Sequence, residues 1–176
     1  MRTTLAFAGA ALFCCLDIAP TRPELSGQER ALRKISEGCP VTKPSQPPFV
    51  PPAPYPSGHQ LWIGSPKLWT NIPTDGVWRS LPHYTPDDTR FRRKVFWWSE
   101  GYDWRKENPP ELTITGKRLD GVAPPLSTDE HPNAGWTNDS KHPFMVHGIF
   151  IPTVGCWKIT GQYKGAELSY VVWVSD

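Results

Sequence analysis

Charge of one sign is what this chain has little of. Nineteen lysines and arginines stand against 17 aspartates and glutamates, a formal net charge of only +2 over 176 residues. That balance offers no basic field for a nucleic acid or an acidic membrane surface. Long apolar runs are missing as well. The one sustained run, residues 5–16, is too short to cross a bilayer. Recognisable catalytic spacing is missing too. There is no H-E-x-x-H, no G-x-S-x-G, no phosphate-binding glycine loop and no C-x-x-C. No cofactor is implied. Cysteine is sparse, at four residues.

Glycine, proline and aromatics are plentiful. Gly and Pro together make 35 residues, and nine tryptophans lead an aromatic content of 12%. Such a chain favours strands and turns over long helices, and it is long enough to bury a core.

Four segments follow from composition. Residues 1–19, "MRTTLAFAGAALFCCLDIA", have one basic residue, Arg2, and then the apolar run. This is the pattern of a secretory signal or a lipoprotein signal. Cys14 or Cys15 would be the lipid-bearing cysteine, although Phe13 stands where a small residue is usual. Plain secretion and an uncleaved anchor are the alternatives, and a membrane contact is expected only through this segment. Residues 20–38 read as a short helix or a tether: Ser26 and Glu29 have capping-box spacing and Gly38 is a stop. Residues 39–58 are proline-rich. Eight of the seventeen residues 40–56 are proline, so an extended polyproline segment is expected. Its Phe49, Val50 and Tyr55 suggest that it lies along the domain surface. Residues 59–176 read as short strands between turn clusters, at 60–63, 67–72, 77–81, 91–98, 111–119, 144–151, 156–163 and 167–174. An antiparallel β-sandwich of seven or eight strands is the expected architecture, with a closed barrel as competitor.

The last two strands fix their own register. With Lys164-Gly165 as a two-residue turn, Trp157 opposes Val172, Ile159 opposes Tyr170 and Gly161 opposes Leu168 on an apolar face. Gln162–Glu167, Thr160–Ser169 and Lys158–Val171 share the polar face, and a slip of one residue would destroy the sorting. Cys156 then falls opposite Trp173 on the outward face. Export removes or sets apart Cys14 and Cys15, leaving Cys39 and Cys156. A Cys39–Cys156 bridge would staple the proline-rich strap over an outer apolar patch of Cys156, Val171 and Trp173. Two free thiols are the alternative.

The chemistry-bearing residues are few. His142 and His147 lie five apart on one expected strand, so they face opposite ways, and no metal site is expected there. His83 beside Asp87 and Asp88 reads as a solvated loop. The stretch "FRRKVFWWSEGYDWRKE" (residues 91–107) breaks alternation with three consecutive aromatics. Trp97, Trp98, Tyr102 and Trp104, rimmed by Arg105, would form a platform for a sugar ring if exposed. Burial of the tryptophans from both sides is the competing expectation.

From Cys39 onward these motifs run in a recognisable order. "CPVT" (39–42), "LWT" (68–70), "DG" (75–76), "WW" (97–98), "LTITGKRLDGVAPPL" (112–126) and "PTVGCWKITG" (152–161) follow one another. The chain resembles a family of exported bacterial proteins, often described as hypothetical proteins or lipoproteins. They share a C-terminal P-T-x-G-C-W-x-x-T-G motif. The resemblance implies an immunoglobulin-like sandwich, export and the positions of the two cysteines. It implies no catalytic residue. The chain departs in its long proline insert and in Lys158, where an acidic residue is expected. The functional expectation is a non-enzymatic binding or structural module of the cell envelope, exported to the periplasm, the outer side of the inner membrane or beyond. Its partner would be an envelope glycan or another envelope protein. A glycan-binding module using the aromatics, and an envelope hydrolase with an unmarked carboxylate site, are the alternatives.

Overall fold

The computed structural model describes Ser26, Glu29, Tyr55 and residues 38–53, 60–136 and 142–176. Among these residues the strands are β1 (Gln60–Ser65), β2 (Leu68–Pro73), β3 (Val77–Trp78), β4 (Phe91–Trp98), β5 (Thr113–Arg118), β6 (Ser127–Thr128), β7 (Asn133–Gly135), β8 (Phe144–Ile151), β9 (Gly155–Tyr163) and β10 (Ala166–Val174). All eight expected strands are present, 91–98 and 144–151 with the expected bounds. Two short ones, β6 and β7, are additional. The segment expected at 77–81 shortens to two residues, because Ser80 turns the chain at φ 50°. His142 lies ahead of β8 rather than on it.

The strands form two sheets. The first runs β1-β2-β4-β8-β6, with β7 also on β8; the second runs β3-β10-β9-β5. Among the described residues no pairing joins one sheet to the other, so the all-β architecture is sandwich-like rather than a closed barrel. The Cys14 and Cys15 site and most of the expected N-terminal helix lie outside the described residues. The capping box itself is formed: the Ser26 amide donates to Glu29 Oε2 at 2.9 Å, and the Glu29 amide donates to Ser26 Oγ at 3.2 Å.

Alternation sorts the first sheet into two apolar faces. Val95 and Trp97 of β4 point between the sheets, with Leu68, Ile72, Met145, Ile149 and Ile151 in the same buried cluster. From the second sheet Trp157, Ile159, Tyr170 and Val172 meet them. Gly161 is required here. A Cβ on it would sit 2.5 Å from the Trp97 ring, so only glycine lets the two sheets close on that indole.

The other face of β4 is aromatic as well. Trp98 pairs in register with Trp69, and its ring lies 5.2 Å from Trp62 and 5.9 Å from Phe144. The proline-rich segment covers this outer face. Phe49 reaches Trp69 at 6.4 Å and Tyr55 reaches Trp62 at 5.8 Å. Three consecutive aromatics are therefore tolerated because both faces of the strand end are covered.

The hairpin forms in the expected register, from Ala166 opposite Tyr163 to Trp173 opposite Cys156. Lys164 and Gly165 both take positive φ, 45° and 77°, as a two-residue hairpin turn with matching twist requires. On the outward face Thr160 and Ser169 hydroxyls lie 2.7 Å apart, and Gln162 Nε2 donates to Glu167 at 2.8 Å.

Cys39 and Cys156 are joined by a disulfide, with Cα atoms 5.6 Å apart and a sequence separation of 117. The bridge lies outside the main core. With Val77 and Trp173 it forms a second buried cluster, against which Val41 and Val171 pack. The strap beside it is zipped to β10: the Thr42 amide donates to the Val171 carbonyl at 2.9 Å, and the Val171 amide donates to Thr42 Oγ1 at 2.8 Å. A loop this long removes much unfolded-state freedom, worth about 4–5 kcal/mol in the chain-entropy picture before strain is subtracted.

Candidate functional site at the hairpin end of the sandwich

Three connections converge at one end: the β1–β2 turn at Pro66 and Lys67, the segment after β4, and the β9–β10 turn. They border a shallow groove of 350 Å3 that includes Ser99, Glu100, Tyr163 and Lys164. The segment after β4 carries most of the sequence-predicted site residues. A turn closes at 103–107, where the Lys106 and Glu107 amides donate to the Asp103 carbonyl, each at 3.0 Å. Asp103 Oδ1 also accepts the Arg105 amide at 3.1 Å. One side of this turn presents Trp104 and Arg105, and its end presents Glu107.

Glu107 is the hub of a charge network. Oε2 accepts the Tyr163 hydroxyl at 2.8 Å and the Lys164 ammonium at 2.7 Å, and Oε1 accepts the Glu111 amide at 2.7 Å. Lys164 also donates to the Gly101 carbonyl at 3.3 Å and lies 5.0 Å above the Tyr163 ring. This explains a lysine in a left-handed turn position, where asparagine is the cheaper choice. The side chain ties the hairpin tip to the neighbouring loop. Tyr102 packs its ring against Tyr163 at 6.1 Å, and its buried hydroxyl has no hydrogen-bond partner.

Electrostatics holds the carboxylate and the ammonium charged and the two phenols neutral. Burial alone would raise the Glu107 carboxyl, but the Glu111 amide, Lys164 and Tyr163 together hold it below the usual range. Burial raises the Tyr163 phenol. Burial, reinforced by the Glu107 charge, pushes Tyr102 up to about 12. The hydrogen bond to Glu107 holds the Lys164 ammonium well above its ordinary value. A general acid or base near pH 7 needs the opposite tuning. The network is thus suited to fastening rather than to proton transfer.

The predicted aromatic platform is divided by the structure. Trp97 lies between the sheets, Trp98 under the strap side of the first sheet, and Tyr102 under Tyr163; all three are buried. Stacking a ligand on them needs surface that these positions do not present, because both faces of β4 are covered. Trp104 is half-buried against the main core, and Arg105 is exposed with its guanidinium 5.2 Å from the Trp104 ring. Trp104 does have an aromatic neighbour that sequence reasoning missed. Trp136, just after β7, stacks on it with centroids 5.3 Å apart and planes 29° from parallel, and is 62% exposed. It sits in the turn-like string "NAGWTND", which gives no periodic signal.

Elsewhere several titratable groups are engaged separately, away from this network. Asp88 is clamped by Arg90 through both carboxylate oxygens, at 3.0 and 2.8 Å, and His83 Nδ1 lies 3.1 Å from the Arg90 carbonyl. His147 is buried on the inner face of β8, and burial lowers its pKa. Arg93, also on an inner face, stacks on Trp78 at 4.5 Å, and burial lowers its pKa too. Among the described residues no three His, Cys, Asp or Glu side chains are gathered as a metal site, and no helix is long and apolar enough to cross a membrane.

Comparison with known proteins returns no matching family model, no matching curated protein and no matching solved structure. The fold and the site therefore stand on their own geometry.

Proposed function

We propose that the chain is an exported, non-enzymatic β-sandwich of the bacterial cell envelope, immunoglobulin-like in its layering, that acts by binding or by structural support. The Cys39–Cys156 bridge carries the export part of this reading. A buried disulfide that closes the strap over the domain suits a non-reducing compartment. The expected signal in residues 1–19, with or without lipidation at Cys14 or Cys15, and the resemblance to the exported family with the P-T-x-G-C-W motif agree with it. Two facing sheets with inward alternation support the immunoglobulin-like assignment; their pairings are antiparallel except that β3 lies parallel to β10, which departs from the all-antiparallel expectation. The bridge lies on the outer face rather than between the sheets, which sets this chain apart from antibody-type domains.

The saturated Glu107 network supports the non-enzymatic side. A hydrolase needs a carboxylate free to exchange a proton, and Glu107 is held ionised by three donors. The test is intact mass of the full chain expressed in an exporting host, alkylated with and without reductant. One disulfide and loss or modification of the N-terminal segment are expected. Two alkylated cysteines at 39 and 156 without reductant would overturn the reading.

A further inference from the structure

We propose that the Trp104–Trp136 stack is a glycan-binding platform, with the exposed face of Trp136 as the surface on which a pyranose ring lies. This deepens the binding half of the reading above and rests on it.

The platform is rigid before any ligand arrives. Trp104 is set in the 103–107 turn, whose end is tied down by Glu107 to Tyr163, Lys164 and Glu111. Its ring also packs on the main core. Trp136 follows β7, whose Gly135 pairs with Phe144 and lies so close beneath that ring that a Cβ would come within 2.5 Å of it. A stack fixed in this way presents its open face without further loss of side-chain freedom on binding, which favours a weak, flat ligand.

Exposure singles the residue out. Trp136 is the one tryptophan among the exposed large apolar side chains of the described residues. An indole left in water has an unsatisfied apolar face and a free N–H edge. The complementary chemistry is a ring with one apolar C–H face and a hydroxyl rim. Arg105, exposed and against Trp104, supplies hydrogen-bond donors for such hydroxyls. Other flat or cationic ligands fit less well. A single-stranded nucleic acid needs a basic track along its phosphates, and the chain carries a net charge of only +2. A quaternary ammonium group needs a cage without a neighbouring guanidinium.

The experiment uses the mature protein, insoluble chitin, cellulose and purified peptidoglycan as probes, and soluble N-acetylglucosamine oligomers as competitors. Retention on at least one matrix is expected. Trp136→Ala should lose about tenfold in apparent affinity, the scale of one lost ring stack, while Trp136→Phe keeps part of it. Oxidative footprinting gives a readout independent of any variant's folding: Trp136 in the wild-type chain should be shielded by the bound glycan. No retention on any matrix would overturn the proposal, as would undiminished retention of Trp136→Ala or unshielded oxidation. None of these failures touches the disulfide and export test, so the two readings fail separately.

Discussion

The two ends of the last hairpin are fastened by opposite chemistries. At the open end, beside Gly155 and Val174, Cys156 is bonded to Cys39 and packed among Val77, Trp173, Val41 and Val171. At the turn end, Lys164 and Tyr163 are held by the single carboxylate of Glu107. The first fastening is covalent and dry, so it should ignore salt and pH and respond to reductant. The second is ionic and partly wet, since the Lys164 side chain is 49% exposed and Glu107 13%. It should respond to pH and salt and ignore reductant. A domain built this way keeps one side closed wherever the bridge stays oxidised. Its loop end, where the tryptophan stack lies, is left tunable.

The largest effect should come from breaking the covalent fastening. Cys39→Ala, Cys156→Ala and the double variant should each lose up to about 4 kcal/mol in chemical denaturation, and the double no more than either single. Reductant should bring the wild type to the same stability and leave the variants unchanged. An additive double would mean that the two cysteines stabilise separately. Next comes the aromatic cover of the strap. Trp98→Ala on the strapped outer face should cost about 3 kcal/mol, in the range for a buried large aromatic. Thr115→Ala on the open outer face of the second sheet should stay within about 0.5 kcal/mol. Equal costs would show that the strap shields nothing.

The covalent side of this comparison was legible in the sequence and the ionic side was not, for a physical reason. A hairpin is local, and its period-2 sorting of Trp157, Ile159, Tyr170 and Val172 against Thr160, Ser169 and Gln162 admits one register. Placing Cys156 outward beside Trp173 follows from that register, and Cys39 was the remaining partner. Glu107 and Tyr163 are 56 residues apart. Nothing in either neighbourhood signals the other, since the contact depends on how the 103–107 turn folds back. The platform residues were half legible. The composition of the 91–107 stretch marked the aromatics, but which of them face water depends on the strap, on Gly161 and on Phe144, all distant in sequence. Strands of two and three residues such as β6 and β7 have no period to detect and exist only because β8 offers them an edge.

Acid titration sharpens the contrast further. Glu107 has its pKa lowered in the folded state, so its contribution is present above the ordinary carboxylate value and is lost as pH falls through the lower, folded one. His147 is also lowered, by burial, so the folded state resists protonating it and stability declines as pH drops below the ordinary imidazole value of about 6.5. Two declines are expected on the acid side, the first removed by His147→Phe and the second reduced by Glu107→Gln. A wild-type chain equally stable from neutral pH to below the carboxylate range would contradict both.

The smallest effect, and the one that tests the comparison most directly, is Lys164→Met. The ammonium gains a short contact with Glu107, but half of the side chain is in water, where screening and side-chain entropy offset most of an ion pair. Met keeps the stem over Tyr163 and removes only the charge. A loss of about 0.5 kcal/mol is expected at low salt, shrinking as salt is added, with no change in the effect of reductant. Glu107 would still accept Tyr163 and the Glu111 amide, so the turn at 103–107 should hold and Trp104 should stay in place. A loss of several kcal/mol, insensitive to salt, would mean that the hairpin tip is as dry and indispensable as the disulfide side, and the distinction between the two fastenings would disappear.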